Sequence, residues 1–364
     1  MKICIVSKEY PNPEGFGGVG TYTYNMALGL VKNGHQVAVI TQTWPWLSGE
    51  SMEDGIRVIR IPVPELDTHQ QFFSRLKSII LPYTMQRKLW TRNVMAKLYE
   101  LIHKESIQLV ELSEYSLDSI PPPLPGSVRL VVRQHSPWDT VIDQSNRFTP
   151  LDTLLQKRFR KYLAKSADLV TCPSEKLADL IEKKWKISPY KIVIYPNMLD
   201  TDFYRPRKNI AVEKNTLLYA GRIERMKGLE CLIRALVSVK KAVPDIRLRI
   251  INAGSFASAD QMNYEKNIKQ KIRNYGLEKS IEIKPRMNQN ELIDEYCRAA
   301  VAVVPSLWES LPYAVLEPMS CARPVVASRC GGIPEIIQDQ HNGLLAEPLN
   351  VSSFCGKILR ILRN

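Results

Sequence analysis

The regular alternation of short β-branched runs with amphipathic stretches constrains the fold of this chain more than any other feature of its sequence. In the first half, most of the predicted strands are continuous apolar runs, which is typical of parallel strands buried on both faces. Helical patterns such as Thr21–Lys32 and Leu151–Lys165 lie between several of them. This order predicts a doubly wound α/β sheet. Its strands are Ile3–Ser7, Val37–Thr41, Arg57–Ile61, Leu109–Leu112, Arg129–Arg133, Asp168–Cys172 and Lys191–Tyr195.

The alternation stops at residues 196–215, a polar segment with two prolines that is typical of a linker, and then restarts. The 364 residues are enough for two domains. We therefore predict two Rossmann-like domains, 1–200 and 201–364. Because ligands of such sheets bind beyond the carboxyl ends of the strands, both domains are expected to face one cleft. The strands of the second domain are Leu217–Ala220, Arg247–Ile251, Ser280–Lys284, Val301–Val304 and Pro324–Ala327.

Composition narrows the class of protein. The 50 basic and 37 acidic residues give a formal net charge of +13, which suits nucleic acid, an anionic membrane face or a phosphorylated substrate without choosing among them. No apolar run reaches the roughly 18–20 residues of a membrane span, and the start lacks a secretory signal. The seven cysteines are scattered without a C-x-x-C pair, which favours a reduced, cytoplasmic setting.

A glycine-rich turn follows the first strand. Gly15, Gly17 and Gly20 form a loose G-x-G-x-x-G before a helix, a pattern that lets the backbone approach an anionic group at a helix N-terminus. A dinucleotide-binding fold would also place an acidic residue after the second strand, whereas this strand ends in the neutral Thr41 and Gln42. The turn is predicted either to bind phosphate or to serve packing alone.

Two cations follow the first strand of the second domain. Arg222 and Lys227 lie in a loop between a predicted strand and a helix, at the carboxyl edge of the sheet. There they could hold a diphosphate between a planar guanidinium and a point charge. The alternative is a charged loop that only faces solvent.

Two glutamates and a histidine occupy comparable positions. Glu309 lies just after the strand Val301–Val304, and Glu317 follows eight residues later on the next helix. The turn between them offers N–H groups at a helix start, so the pair suits sugar hydroxyls beside an anion, unless both are merely solvated. His135 ends a buried type of strand, where it serves either the cleft or the core. The sequence has no H-x-x-x-H or clustered His/Cys/Asp set, so no metal site is predicted.

Taken together and in this order, the motifs resemble glycosyltransferase family four, the retaining enzymes of the GT-B fold. The resemblance covers nearly the whole chain. It is carried by an Arg-x4-Lys pair at 222 and 227, by the E-x7-E spacing of the two glutamates, and by several glycine-containing segments. These segments are Gly17–Gly20, Gly34–Val37, Pro324–Ser328 with Gly331–Glu335, and Asn342–Pro348.

The resemblance implies roles for the second domain, which would be the donor side. Arg222 and Lys227 would neutralise the donor diphosphate and stabilise it as the leaving group. Glu309 would hold hydroxyls of the transferred sugar, and Glu317 would hold the ribose. N–H groups for sugar and phosphate would come from the turn at Ser310, Leu311, Pro312 and Tyr313.

On the first domain, which would be the acceptor side, Gly17 and Gly18 would approach the donor diphosphate. His135 would contact the donor sugar near its primary hydroxyl. Its partners in the implied catalytic set are Arg222, Lys227 and Glu309. Neither a metal ion nor a cofactor besides the donor substrate is expected, because the cations and a helix dipole supply the electrostatic stabilisation.

The chain departs from the family pattern in places. Residues 310–312 stand where glycines are usual, and Pro312 lacks an N–H. In the family, residues near the turn that here contains Arg286 and Met287 contact the nucleobase. Because this turn departs from the family pattern, the sequence does not identify the base. The family continues past the equivalent of Asn364 with a helix that crosses back onto the first domain, so this C-terminus is expected to be short.

The leading prediction is a retaining, metal-independent transfer of a hexose from a nucleotide-diphospho-sugar to a glycan or lipid-linked acceptor, as in polysaccharide biosynthesis. A double displacement would need a carboxylate of the first domain, and Glu114 and Asp139 lie near strand ends without further support. Same-face attack is therefore favoured. The alternatives are a nucleotide-sugar epimerase or hydrolase of the same fold, an NAD-dependent oxidoreductase and a basic nucleic-acid-binding protein, although no zinc finger or RNP-like motif is present.

Two basic amphipathic stretches predict peripheral contact with an anionic membrane at its inner face. Tyr83–Lys104 mixes cations with Leu89, Trp90, Val94, Leu98 and Ile102. Leu151–Lys165 carries five cations against one acid, Asp152. Such helices favour anionic lipid surfaces. The alternative is that both apolar stripes pack on the sheet of the first domain.

Overall fold

The structure is a computed structural model, and it describes residues 1–11, 17–43, 47–63, 82–117, 123–136, 150–254 and 259–363. The chain divides into two compact units, which we call the first unit (Met1–Met198) and the second unit (Leu199–Asn364). The division falls within the predicted linker. Each unit is built on a largely parallel sheet with helices between its strands, which confirms the predicted α/β class.

The sheet of the first unit has the strand order β3-β4-β2-β1-β5-β6-β7-β8, and among its described strands only the β3–β4 pair is antiparallel. Its strands are β1 (Lys2–Ser7), β2 (Gln36–Thr43), β3 (Gly49–Glu53), β4 (Ile56–Pro62), β5 (Leu109–Ser113), β6 (Arg129–Arg133), β7 (Leu169–Cys172) and β8 (Ile192–Ile194). The described helices are α1 (Gly18–Lys32), α2 (Pro82–Glu105), α3 (Pro150–Ser166) and α4 (Glu175–Trp185).

The sheet of the second unit is parallel throughout, in the order β11-β10-β9-β12-β13-β14. Its strands are β9 (Glu213–Gly221), β10 (Arg247–Asn252), β11 (Ile281–Lys284), β12 (Ala299–Val304), β13 (Val325–Ser328) and β14 (Leu344–Ala346). The described helices are α5 (Leu229–Ala242), α6 (Ala259–Asn274), α7 (Gln289–Arg298), α8 (Tyr313–Ser320), α9 (Ile333–Ile336) and α10 (Val351–Leu362).

Both strand orders reverse direction at one point, which determines where a ligand can bind. In the first unit the reversal lies between β1 and β5, and in the second unit it lies between β9 and β12. The connections on either side of such a point leave the sheet in opposite directions and open a crevice beyond the carboxyl ends of the strands. The loops after β1, β5, β9 and β12 are therefore the places at which to look for a site.

The long helix α2 corrects part of the sequence prediction. Trp90, Val94, Leu98 and Ile102 lie in the hydrophobic core of the first unit and are at most 7% exposed. Its apolar stripe therefore packs in the core, and of the five apolar residues of α2 named for membrane contact only Leu89 is exposed. None of the described helices is long and apolar enough to cross a membrane.

Helix α3 differs from α2, because it exposes several apolar side chains in addition to those that it buries. Phe159 and Leu163 face the core of the first unit, and Asp152 is buried. The side chains of Leu151, Leu154, Leu155 and Tyr162 are 37–49% exposed and share the outer face of the helix, because their spacing follows the helical period. This helix therefore carries apolar residues on both faces.

Candidate active site

In the second unit the loop after β9 is held against the end of β12. It passes through a short 3-10 helix, Arg225–Lys227, and reaches Gly228, which has φ 65° and precedes α5. A Cβ atom at Gly228 would lie 1.9 Å from the carbonyl oxygen of Pro305, so this close approach requires glycine. The Leu307 N–H also donates to the Met226 carbonyl oxygen at 2.8 Å. The two loops at the reversal point of the sheet are thereby fixed to each other.

This contact brings together two residues that the sequence separates by 82 positions. Lys227 Nζ lies 2.7 Å from Glu309 Oε1, and their side chains are 25% and 13% exposed. The Ser306 hydroxyl donates to the same carboxylate oxygen at 2.8 Å. The predicted cation and the predicted sugar-binding carboxylate thus form one partly buried pair beyond the carboxyl ends of β9 and β12.

The main chain of Glu309 is fixed from the other side by the loop after β13. Gly331 has φ 51°, and a Cβ atom there would lie 1.8 Å from the Glu309 carbonyl oxygen. The Gly332 N–H donates to that same oxygen at 2.9 Å. The glycine pair after β13 therefore has a physical purpose, which is to let the two loops touch at the candidate site.

Arg222 occupies the same loop as Lys227 but is more exposed. Its guanidinium lies 3.0 Å from the Glu224 carboxylate, and its side chain is 55% exposed. The Tyr219 hydroxyl donates to the Arg222 carbonyl oxygen at 2.7 Å and fixes the main chain at the strand end. Both predicted cations are consequently paired with carboxylates in this structure.

The turn that follows Glu309 leads into α8. Pro312 precedes the helix in an extended conformation, and Tyr313 is its first residue. Leu311 and Tyr313 are buried at 6% and 8% exposure, so this turn is packed into the unit. Because Pro312 has no N–H, the main-chain donors at this end of the helix come from its neighbours.

Glu317 lies one turn further along α8 and is almost fully buried. Its Oε2 accepts a hydrogen bond from the Tyr296 hydroxyl at 2.8 Å, and the Tyr204 hydroxyl bonds the same carboxyl group. Burial raises the pKa of Glu317 to about 7, although both tyrosine hydroxyls act to lower it. The structure therefore does not bring Glu317 into the Lys227–Glu309 pair.

The residues assigned to the nucleobase follow β11 in the loop before α7. Arg286 and Met287 are both half-buried, and Met287 packs against the cluster that contains Tyr204 and Tyr296. Among the described residues, no group of three or more His, Cys, Asp and Glu side chains is placed to hold a metal ion.

In the first unit the turn before α1 is engaged by an acidic side chain. The helix begins at Gly18, three residues earlier than predicted, and Gly17 is its N-cap. The Gly17 N–H donates to Glu9 Oε2 at 2.9 Å. A carboxylate thus lies where the sequence predicts an anionic ligand of the turn. Gly15, the first glycine of the motif, lies outside the described residues.

His135 follows β6 and is held by its main chain and by its ring. Its N–H donates to Glu114 Oε1 at 2.7 Å, and its ring meets that of Tyr22 edge-on, with centroids 4.9 Å apart. Burial, and next the charge of Arg133, lowers the pKa of His135 well below its usual value, so the imidazole is neutral near pH 7. A neutral ring suits hydrogen bonding to a hydroxyl better than proton donation.

The sequence did not predict the contacts that several residues make with the candidate-site residues of the two units. The residues that make these contacts are Glu9, Tyr204, Tyr296 and Glu114, the last of which stood out in the sequence only by its position near a strand end. Asp139, the other carboxylate weighed with it, lies outside the described residues. The signal common to Glu9 and Glu114 is an acidic residue within two positions of the end of a buried strand next to the reversal point of the sheet.

Comparison with known proteins gives two family matches. Residues 16–203 match the model of Glycosyltransferase Family 4, which spans more than half of the chain, and residues 200–364 match the model of Glycosyl transferases group 1. A D-inositol 3-phosphate glycosyltransferase of Corynebacterium aurimucosum is 26% identical over all of this chain and 88% of its own length. An uncharacterized glycosyltransferase of Methanocaldococcus jannaschii is 25% identical over all of this chain and 89% of its own.

Solved structures share the fold. Sucrose-phosphate synthase from Thermosynechococcus elongatus superposes with a TM-score of 0.77 at 19% identity and covers 100% of this chain and 90% of its own. The Anabaena protein HepE, crystallised in complex with UDP-glucose, has a TM-score of 0.68 at 16% identity, with 99% and 89% covered.

Proposed function

This chain belongs to Glycosyltransferase Family 4 and is a glycosyltransferase of the GT-B fold, and from that premise we propose that it moves a hexose from a nucleotide-diphospho-sugar to a glycan or lipid-linked acceptor, as in polysaccharide biosynthesis. The transfer retains the anomeric configuration and needs no metal ion. The pairing of Lys227 with Glu309 is the observation that carries the proposal.

The pair supports donor binding for a simple electrostatic reason. A lysine and a carboxylate held together beyond the carboxyl ends of neighbouring strands offer charge for a phosphate and an acceptor for sugar hydroxyls within one small volume. When a diphosphate binds, its negative charge competes with Glu309 for the ammonium. Lys227 then stabilises the charge that grows on the leaving diphosphate, and Glu309 accepts hydrogen bonds from the sugar.

The remaining site residues have supporting roles in this proposal. Arg222 is exposed in the same loop as Lys227 and adds a second cation for the diphosphate. On the first unit, the neutral ring of His135 contacts the donor sugar, and the main chain at Gly17 and Gly18 approaches the diphosphate once Glu9 yields its hydrogen bond. Glu317, buried between two tyrosines, supports the ribose from within the unit.

The test is a transfer assay with the purified chain. UDP-glucose, UDP-galactose, GDP-mannose and ADP-glucose serve as donors, and inositol 3-phosphate, oligosaccharides and membrane lipid extracts serve as acceptors, the first because of the name of the Corynebacterium relative. Mass spectrometry detects the product, and NMR of the first-formed product determines its anomeric configuration. We expect one donor to be used, EDTA to have no effect, and the donor's configuration to be retained.

Each alternative has a distinct outcome. Free sugar without a glycoside would indicate a hydrolase, and an altered sugar on the nucleotide would indicate an epimerase. A requirement for Mn²⁺ after chelation, or an inverted anomer, would contradict the mechanism proposed for this site. Thermal shift with the same donors, NAD and DNA separates binding classes independently of the acceptor, since a ligand of the native state raises its stability.

We further propose peripheral contact with an anionic membrane through the outer face of α3. Its exposed Leu151, Leu154 and Leu155 are followed by the exposed Arg158 and Lys165. Exposed apolar side chains beside cations suit the headgroup region of an anionic leaflet. A lipid-linked acceptor would make such docking useful. A cytoplasmic location, expected from the scattered cysteines, stays a prediction.

A further inference from the structure

A buried carboxylate joins two strand ends in the first unit. Glu114 follows β5 and is fully buried. Its Oε1 accepts the N–H of His135 at 2.7 Å and that of Ser136 at 3.0 Å, both from the loop after β6. Its own N–H donates to the Arg133 carbonyl oxygen at 2.9 Å. One carboxylate oxygen therefore satisfies two consecutive main-chain donors of the neighbouring strand end.

The segment that carries Glu114 is itself held from three directions. Arg160 of α3 donates to the Glu114 carbonyl oxygen, and its guanidinium lies 5.0 Å from the ring centroid of Tyr115. The Tyr115 hydroxyl bonds the Ser136 hydroxyl, and the Ser116 hydroxyl donates to the Val6 carbonyl oxygen of β1. Glu114 is therefore a fixed point from which the loop after β6 can be oriented.

His135 is the residue whose side chain depends on this orientation. Its ring packs on Tyr22, and its Nε2 is buried without a hydrogen-bond partner among the described residues. A buried polar atom without a partner is costly, and it is tolerated where a ligand can supply the partner. A change in the main chain of residues 135–136 would reorient the His135 ring, and its Nε2 would then no longer face the place at which a ligand can supply the hydrogen-bond partner.

We propose that Glu114 is a positioning residue, which fixes the direction of the His135 side chain by accepting the two main-chain N–H groups. The proposal rests on the proposed function, in which His135 contacts the donor sugar. Glu114 acts through His135. It is not the nucleophile of a double displacement, because its carboxyl group is enclosed by the strand ends it joins.

The ionisation of Glu114 makes this role measurable. Burial raises its pKa to about 7, while the N–H groups of His135 and Ser136 and the charge of Arg160 act to lower it. An ionised carboxylate accepts hydrogen bonds more strongly than a neutral carboxyl group, so the loop is held more firmly above that pH than below it. The titratable and charged groups around it are Arg133, His135, Tyr115, Arg160 and Cys172.

The first test needs no substrate. We would record the backbone amide signals of His135 and Ser136 by NMR across about pH 5 to 9 in the wild type and in Glu114→Gln. The glutamine oxygen can still accept both N–H groups but does not titrate. We expect both amides to shift with a midpoint near 7 in the wild type and to be invariant with pH in the variant. Amides that do not titrate, or that titrate equally in both proteins, overturn the proposal.

The second test uses the donor identified by the transfer assay. We expect kcat/KM of the wild type to fall by about threefold as pH decreases through about 7, and that of Glu114→Gln, which resembles the neutral carboxyl group, to stay near this lower value at every pH. Glu114→Ala should lower kcat by roughly 10-fold to 100-fold, as a small misplacement of a contacting group does. If Glu114→Ala does not fold, the glutamine variant alone decides.

A control variant tests whether the loss of any buried carboxylate changes the pH profile. Glu295 on α7 of the second unit is also buried, at 5% exposure, but its partners are cations such as Lys284 and Arg298. Glu295→Gln should leave the pH profile of kcat/KM unchanged. A Glu114→Gln enzyme with the wild-type pH profile would overturn the proposal. If no donor is used by the wild type, the proposed function fails, while the NMR result still decides about Glu114.

Discussion

Lys227 is the residue on which the proposed chemistry depends most. Its side chain is 25% exposed, and its ammonium group pairs with the carboxylate of Glu309, whose side chain is only 13% exposed. We expect Lys227→Ala to lower kcat by roughly 10²-fold or more, because removal of one electrostatic donor to a developing oxyanion has an effect of that size. The circular dichroism spectrum should stay that of the wild type. Transfer at a rate near that of the wild type would remove the diphosphate argument.

Lys357→Ala is the control for that variant. Lys357 on α10 pairs with Asp339 at 3.3 Å, and the two side chains are 23% and 20% exposed, so the pair resembles Lys227–Glu309 in burial and charge. It lies outside the loops after β9 and β12. We expect its loss to leave kcat unchanged, and a comparable fall in kcat would show that the assay reports loss of any ion pair.

Glu317 shows where single residues escape sequence analysis. The E-x7-E spacing correctly places it on the helix after Glu309, but spacing along one helix does not reveal what surrounds a side chain. Its partners come from distant parts of the chain, Tyr204 from the linker and Tyr296 from α7. The close contacts that require Gly228 and Gly331 are likewise made by residues far away in sequence. The roles of all these residues in catalysis stay predictions.

At the scale of elements, the sequence predicts what depends on periodicity. The buried parallel strands and the helices between them agree with the structure, because an apolar run or a helical stripe is a local signal. The β3–β4 hairpin was missed, since β3 is polar, although the turn Asp54–Gly55, with φ of 49° and 79°, is a typical hairpin signal. Whether the apolar side chains of an amphipathic helix are buried by the rest of the unit is not a local property. The sequence therefore could not show that α2 buries its apolar stripe while α3 exposes apolar side chains.

Helix α3 carries the prediction that belongs to this scale. Arg158→Ala with Lys165→Ala removes two exposed cations from its outer face, and Leu154→Ser with Leu155→Ser removes two exposed apolar side chains. The cation variant should lower binding to phosphatidylglycerol vesicles in co-sedimentation by about 30-fold at low salt, because each of two cations near the surface contributes roughly 1 kcal/mol. The leucine variant should lower it by about fivefold or more, because less apolar surface enters the headgroup region. High salt should weaken the binding of the wild type.

The matched control is a second helix of the same unit. Lys183 and Lys184 of α4 are exposed, but that helix also carries acidic residues such as Glu175 and Asp179. Lys183→Ala with Lys184→Ala should leave vesicle binding close to that of the wild type. Absence of wild-type binding at low salt, or an equal loss of vesicle binding in the α3 and α4 cation variants, would contradict this prediction. Either result would favour a soluble acceptor.

At the scale of the whole molecule, burial raises the pKa of a described carboxyl group to about 7 in each unit, Glu114 in the first and Glu317 in the second, and it also raises the pKa of Glu111 in the first unit. Burial disfavours the charged form, so the folded state binds a proton more tightly than the unfolded chain. Stability from such a group is fully present below its ordinary pKa of 4.5 and is lost as pH rises through about 7. In the first unit, His135 opposes this trend, because its lowered pKa favours folding at higher pH.

The second unit therefore gives the cleaner prediction. Its other described groups with shifted pKa values titrate outside the range between about 5 and 8: Asp339 below it, and the tyrosines, cysteines and Arg249 above it. From pH 5 to pH 8 we expect the free energy of unfolding of the wild type to fall by about 3 kcal/mol relative to that of Glu317→Gln, whose side chain cannot ionise but can still accept from Tyr296. Urea unfolding of both proteins across that range measures the difference. A difference that does not change with pH would mean that Glu317 is ionised in the folded chain. The second unit would then hold a buried carboxylate, and a ribose hydroxyl would compete with the two tyrosine hydroxyls to donate a hydrogen bond to it.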